Sequence, residues 1–446
     1  MHTSGKANHE ALFMLRSLEQ LLQSIHGFNS RTRRRVRSRG REVKRELWFY
    51  VMAPWAVPAV IILRCLRPVI CIRLGSLDAS RMGHFAFDSA IGIATVRRQS
   101  PRMHDLFWLQ PVANFQWALM VRRTLPVARY TKFIDIWNRR IPGGRFHVRQ
   151  SEIGAVPVAQ SWWDLDVAIA FTAEEETSGR NWLLAQGWRV GQPFVCVIVR
   201  DSEFLATDTL QNRVIADHSS QRWSYHDFRN SDIKDYIPAM EWLAEQGVFV
   251  LRMGKRVAER LGNVRNGIID YANEPTKSDF LDIWLFANCT ACVSTATGID
   301  GIACLYRRPM LCINASPLTD MWTFCPVTWI PKNMVWTETQ EPLTLQEQLT
   351  HSFGRLERFQ EAGIQLKSLG PNEILDAVQD FWFRLSGTQP HQELDALLQR
   401  RFIDVYTAWP GFAEAHFMMH PDARVGFTWL RSRDENFFRV SNALWH

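Results

Sequence analysis

No stretch of this sequence is apolar for long enough to cross a bilayer comfortably. No cysteine pattern frames a metal site, and no short-period repeat runs along the chain. The longest apolar segment, Leu47–Leu63 (LWFYVMAPWAVPAVIIL), lies at the lower edge of spanning length. Pro54 and Pro58 inside it are expected to kink or break a helix. It begins too far into the chain and lacks the small-residue cleavage site of a secretory signal. The eight cysteines are scattered at 65, 71, 196, 289, 292, 304, 312 and 325, mostly in apolar text. Cys289-x-x-Cys292 has metal-ligand spacing, but no second pair or histidine partner stands at matching spacing. Buried core thiols in a reducing compartment are the reading. No zinc-finger or RNA-binding motif is present either, so nucleic acid is not an expected partner.

What is present is a long, well-furnished chain. It has 446 residues, 46% of them hydrophobic, enough for roughly two or three domains with real cores. The formal charge is +7 and the pI about 9.1. That excess comes from one run, Arg31, Arg33, Arg34, Arg35, Arg37, Arg39, Arg41, Lys44 and Arg45. Without it the chain is close to neutral. A basic run directly before an uncharged, aromatic-rich segment reads as attachment to an anionic membrane surface. Were the segment a single span with the basic run cytoplasmic, everything after residue 67 would be exported. An interfacial or re-entrant segment, with Arg64 and Arg67 on its far flank, keeps the body inside. The competing reading is a buried helix packed on the main domain. Glu10–Ile25 reads as a short amphipathic helix before the basic linker.

The body alternates strands and helices. A first α/β region opens with the apolar run Pro68–Ile72, then a Gly75 to Gly83 turn region, then helical text from Phe85 to Ala94. Further apolar runs follow at Phe107–Leu109 and Phe133–Trp137, and Thr172–Arg180 reads as the passage to a second region. There the pattern is clearer. Strands are expected at Pro193–Val199, Val248–Leu251, Gly267–Asp270, from Val293, and at Met310–Ile313. Helices are expected at Tyr236–Gln246, stopped by Gly247, at Asp279–Asn288 capped by Ser278, and at Ile299–Tyr306. This alternation implies doubly wound parallel sheets. The predicted organisation is α/β. A membrane-associated segment at 1–66 precedes two Rossmann-like domains at 67–185 and 186–385, which face each other across a cleft. An aromatic-rich, irregular cap at 386–446 follows.

Candidate chemistry gathers where parallel strands end. Arg200, Asp201 and Ser202 follow PFVCVIV; Arg252, Gly254 and Lys255 end the next strand; Ser294, Thr295, Thr297, Gly298 and Asp300 form a small-residue turn opening a helix. Cations beside a helix N-terminus suit a diphosphate. The alternative for the turn is an ordinary βαβ connection with a Ser/Thr cap. Between the first two strands lies SYHDFRNSD, in which His226, Asp227 and Arg229 would orient sugar hydroxyls or phosphate, or which simply enters a helix capped by Ser231 or Asp232. In the first region His84, or Asp78 in the same loop, is the candidate general base.

Several blocks fall in order over roughly residues 67–314: Arg73-Leu-Gly-Ser with Arg81-Met-Gly-His84, Val199-Arg-Asp-Ser202, Tyr225-His-Asp-Phe-Arg-Asn-Ser-Asp-Ile233, Arg252-Met-Gly254, Ser278-Asp-Phe-Leu-Asp282, and Ser294-Thr-Ala-Thr-Gly-Ile-Asp-Gly301 with Arg308-Pro309. In these the chain resembles a little-characterised family of bacterial glycosyltransferases of GT-B architecture. The resemblance implies a nucleotide-sugar donor held mainly by the second domain, a lipid-linked or cell-surface polysaccharide acceptor, and no metal or other cofactor. Read from their strand-end and loop positions, Arg200, Asp201, Tyr225, His226, Asp227, Arg229, Arg252, Gly254, Lys255, Ser294, Thr295, Thr297, Gly298 and Asp300 are expected to face the donor, with Asp300 or Asp270 on ribose or base. The basic run and an interfacial segment would place the enzyme on the cytoplasmic face of a bacterial inner membrane. Two other classes stay open: another sugar-nucleotide enzyme on the same fold, such as an epimerase or pyruvyl transferase, and a non-catalytic membrane-associated partner protein.

Overall fold

The structure is a computed structural model. It describes residues 50–149, 168–201, 203, 228–262, 265–321, 325–389, 392–412 and 420–441. The chain divides into two compact units, residues 1–71 with 133–148, and residues 72–132 with 149–446. The expected Glu10–Ile25 helix and the basic run lie outside the described residues.

In the smaller unit, residues 50–65 form one continuous helix that runs through both prolines. Each proline removes a backbone donor, yet the apolar Ala56, Val60 and Leu63 hold one face against the unit. Arg64 acts as a clamp at its end. Its guanidinium donates to the carbonyls of Asn138 (2.9 Å), Ile141 (2.8 Å) and Pro142 (2.7 Å), and to Asn138 Oδ1. These carbonyls close the Thr131–Arg140 helix, where a cation is favoured. Arg64 is therefore committed to protein carbonyls, a different role from the headgroup contact its position in the sequence suggests. Gly144 is obligatory here, since a Cβ would stand 2.1 Å from the Asn138 carbonyl oxygen.

The larger unit is built on a parallel sheet. In chain order its strands are β3 (Phe194–Ile198), β4 (Phe249–Met253), β5 (Ile268–Ile269), β6 (Ala291–Ser294), β7 (Met310–Ala315), β8 (Val327–Pro331) and β11 (Arg424–Val425). Their spatial order is β11-β8-β7-β6-β3-β4-β5, and every pairing is parallel. Continuous apolar runs are what such a sheet needs, being covered on both faces; β3, β4, β6, β7 and β8 are buried throughout. The first strand lies in the middle, with the second and third to one side and the fourth onward to the other. The order therefore reverses between β3 and β6.

Residues 72–132 fall in this same unit. Among the described residues this part carries a two-stranded sheet, β1 (Cys71–Leu77) with β2 (Met103–Leu109), where the sequence predicts a Rossmann-like domain. A second small pair, β9 (Asn333–Trp336) with β10 (Ile364–Lys367), is antiparallel and covers a separate apolar cluster around Phe228, Leu343 and Phe359. Thr172–Arg180, expected as the passage to a second region, is not irregular: it starts a helix. Thr172 and Glu175 form a capping box that opens the Ala173–Ala185 helix. The segment after residue 386 is not irregular either: it holds the Gln392–Ala408 helix, and β11 pairs with β8 as the outermost strand of the main sheet. Its aromatics Phe427, Trp429 and Phe437 are buried there.

Candidate functional site

The strand ends do align. Ile198 of β3 pairs with Met253 of β4 and with Ser294 of β6, and Ser294 pairs with Cys312 of β7. The residues that follow these strands lie along one edge of the sheet. In open α/β sheets ligands bind at this edge, where the strand order reverses. At that point Arg200, after β3, and Thr295, after β6, are joined: the Arg200 amide donates to Thr295 Oγ1 at 2.8 Å, and the Thr295 amide to the Ile198 carbonyl at 3.2 Å. Arg229 reaches the same turn through an Nη2 bond of 3.0 Å to the Ala296 carbonyl. The turn is tight, with Ala296 at φ 57° and Gly298 at φ 101°, both in the left-handed region.

The inside of this turn is already occupied by one of its own side chains. The Asp300 carboxylate accepts from the Thr297 amide (3.0 Å), the Gly298 amide (2.7 Å) and the Ser294 hydroxyl. Ser294 Oγ in turn accepts from the Ala296 amide at 3.0 Å. The amides that would cradle a phosphate therefore already serve an anion, and a phosphate at the same donors would meet a like charge. The helix that follows, Gly301–Leu305, has five residues. Ser294, Thr297, Gly298 and Asp300 form a rigid internal brace, not an open anion cradle.

Other expected donor contacts are also spent within the fold. Arg252 is 2% exposed; it pairs with Asp270 at 2.9 Å and donates to the Glu259 carbonyl at 3.1 Å. Asp270 also accepts from the Leu261 amide and Asn273. Lys255 donates to the Ala113 carbonyl at 2.9 Å and pairs with Asp279 at 3.2 Å. Asp201 accepts from the Glu203 and Ala258 amides, both at 3.0 Å. Gly254 is needed because a Cβ would stand 2.6 Å from Val257. Arg252, Asp270, Lys255, Asp201 and Asp300 thus each hold protein groups within the fold. Ser202, Tyr225, His226 and Asp227 lie outside the described residues.

His84 and Asp78, alternatives in the sequence, are one pair. His84 Nδ1 lies 3.2 Å from Asp78 Oδ2, with the side chains 43% and 28% exposed. Burial pushes the Asp78 carboxyl up, but hydrogen bonds from His84 and Ser80 outweigh it and hold it below the usual carboxylate range. The Asp78 amide is anchored on the fully buried Asp88 at 2.8 Å. Behind Asp88 stands Arg149, 3.7 Å away and itself 3.8 Å from Asp105, which Arg73 also binds. A neutral imidazole donating from Nδ1 to this carboxylate would carry its lone pair on Nε2. The pair is carried by the start of the Met82–Arg98 helix, which packs directly on the β6 turn: a Cβ on Gly83 would meet Gly298 Cα at 3.0 Å. Glycine at both positions lets the backbones touch, and His84 is the next residue.

One residue of this edge is not evident in the sequence. Lys332 directly follows β8 and is 5% exposed. Its ammonium donates to the Asn230 carbonyl (2.7 Å) and Ser368 Oγ (3.0 Å), and burial pushes its pKa down to about 8. It holds the Arg229–Asn230 segment in place from below. The available signal was a lysine directly after a mostly apolar strand.

Among solved structures the chain is similar to the E. coli ADP-heptose lps heptosyltransferase II, with TM-score 0.30 and 12% identity over 55% of this chain and 86% of that one. It is similar also to the E. coli heptosyltransferase WaaC with ADP, with TM-score 0.29 and 11% identity over 58% of this chain and 91% of that one. No protein-family model matches the chain, and no curated protein matches it by sequence.

Proposed function

We propose that this protein is a GT-B-type glycosyltransferase that moves a sugar from a nucleotide-diphosphate donor to a lipid-linked or cell-surface polysaccharide acceptor. The observation that supports the reading is the contact of Gly83 with Gly298, since it sets the helix that bears His84, paired with Asp78, against the turn after β6, to which the Arg200 amide and the Arg229 side chain also bond. In this reading His84 Nε2 takes the proton of the acceptor hydroxyl. The acceptor oxygen attacks the anomeric carbon, and the bond from that carbon to the diphosphate oxygen breaks. Asp78 holds the imidazole in the required tautomer and offsets the charge it gains. Arg200 and Arg229 take up the charge on the leaving diphosphate, the largest electrostatic demand of the step.

The full-length protein is offered a panel of nucleotide-diphosphate sugars with and without lipid-linked oligosaccharide, and release of nucleoside diphosphate is measured. Acceptor-dependent release is expected. His84→Ala should lower turnover by about a hundredfold or more, the scale of a lost general base, with donor affinity within a factor of about two. Conversion of the sugar without release would mark an epimerase. Absence of any nucleotide-diphosphate binding in a thermal-shift assay would mark a non-catalytic partner protein. Either result refutes the proposal.

A further inference from the structure

The helix over residues 50–65 is apolar on both sides. Ala56, Val60 and Leu63 are buried, while Tyr50, Val51, Trp55, Ile61, Ile62 and Leu66 are exposed, Val51 by 62% and Ile62 by 60%. These exposed positions, with Pro54, Pro58 and Cys65 between them, recur at helical spacing and form one stripe. A helix on the surface of a unit in water carries its polar side chains on the outer face. This one has no charged residue from Tyr50 to Leu63, so its outer face is built to meet something other than water.

The surrounding charge says what. No acidic residue lies between Tyr50 and Cys71. In the rest of the described unit, residues 133–148, the acidic residue is Asp135, buried and paired with Arg139. Around the helix stand exposed arginines stacked on aromatic rings: Arg140 lies 5.9 Å from the Tyr50 ring centre, and Arg67 lies 3.7 Å from that of Phe146. An apolar stem or ring with a guanidinium at its margin is how side chains reach from hydrocarbon to headgroups. In the sequence the Arg31–Arg45 run ends five positions before Tyr50. At 1.5 Å per residue, the described residues 50–65 account for about 24 Å of helix. Among the described residues no helix is long and apolar enough to cross a membrane.

We propose that the outer face of the 50–65 helix is a docking surface for an anionic phospholipid bilayer. The helix lies flat in the interface, with the exposed aliphatic stripe in the acyl region and Arg67 and Arg140 at the phosphate level.

The test is flotation of the full chain with vesicles of phosphatidylcholine alone or mixed with phosphatidylglycerol. The wild type should float with the mixed vesicles and much less with phosphatidylcholine alone, and high salt should lower binding without abolishing it. Ile61→Asp with Ile62→Asp should reduce partitioning at least tenfold while leaving the thermal melt unchanged, since both side chains are exposed. Arg67→Glu with Arg140→Glu should reduce the preference for phosphatidylglycerol several-fold, and this arm stands if the isoleucine variant misfolds. Flotation of both variants indistinguishable from wild type overturns the proposal. So does a lipid-free dimer that the isoleucine variant converts to monomer while the wild type fails to float, because the face would then be a protein interface.

Discussion

Replacing Arg252 by alanine separates two roles that its place at a strand end leaves open. A ligand-facing arginine at the sheet edge would leave stability almost unchanged when truncated and would weaken a bound diphosphate. The observed side chain is instead 2% exposed and bonded to Asp270 and the Glu259 carbonyl. Breaking a buried ion pair by removing one partner costs about 3–5 kcal/mol, because the other charge stays behind. Here Asp270 is 18% exposed and keeps its bonds from the Leu261 amide and Asn273, which offset part of the loss. The expected destabilisation therefore lies at the lower end, about 3 kcal/mol. Urea unfolding followed by tryptophan fluorescence reads it as a lowered midpoint at unchanged slope. Arg252→Met with Asp270→Asn, which removes both charges, should recover much of the loss. A stability within about 1 kcal/mol of wild type, well below that cost, together with a tenfold loss of nucleotide-diphosphate affinity, would refute the assignment.

Gly83→Val places a branched side chain where even a Cβ meets the Gly298 backbone at 3.0 Å. It should cost about 1–3 kcal/mol of stability by overpacking and should abolish turnover by moving His84 away from the turn; a variant with wild-type turnover would show that this contact does not position the base. Lys332 makes stability depend on alkaline pH. Its folded pKa of about 8 lies below its ordinary 10.5, so between these values the unfolded chain binds a proton that the native protein has lost, and stability rises with pH. The contribution is absent below about pH 8 and reaches about 3 kcal/mol near pH 10.5. The difference in unfolding free energy between wild type and Lys332→Met, measured from pH 7.5 to 10.5, should grow in wild type's favour by about that amount; a flat difference refutes it.

Much of the main sheet was readable because a parallel sheet covered on both faces demands continuous apolar runs, and PFVCVIV and its successors have no other use. Ser278 and the Asp279–Asn288 helix were readable for a similar local reason: the cap and the element are adjacent in the chain, and the Ser278 side chain does accept from the Leu281 amide. What escaped depends on partners far along the sequence. β11 is two residues long and pairs with β8 across about a hundred residues, so it has no periodicity to detect. Thr172–Arg180 looks like a charged linker until the Thr172–Glu175 box is recognised as a helix start. Pro54 and Pro58 argue against a helix by local rules, and packing of the opposite face overrides them.

The same distinction divides the candidate site. Strand-end position brought Arg200, the Arg252–Lys255 segment and the Ser294–Asp300 turn to one edge, as the pairing of Ile198 with Met253 and Ser294 shows, and the first region named His84 and Asp78 as rivals. Position does not say whether a charge is turned outward or spent. Asp300 is spent on its own turn, bound by two amides and a hydroxyl. Arg252 and Asp270 are spent on each other, and Lys255 on Ala113 and Asp279. These commitments have a functional consequence. A turn held by its own carboxylate gives what packs on it a fixed support, the condition a preorganised site requires. The Met82–Arg98 helix rests its glycine on that fixed turn, and the imidazole beside it is held again by Asp78, whose amide is anchored on buried Asp88. The buried charges are therefore the frame on which the Gly83–Gly298 contact and the His84–Asp78 pair rest.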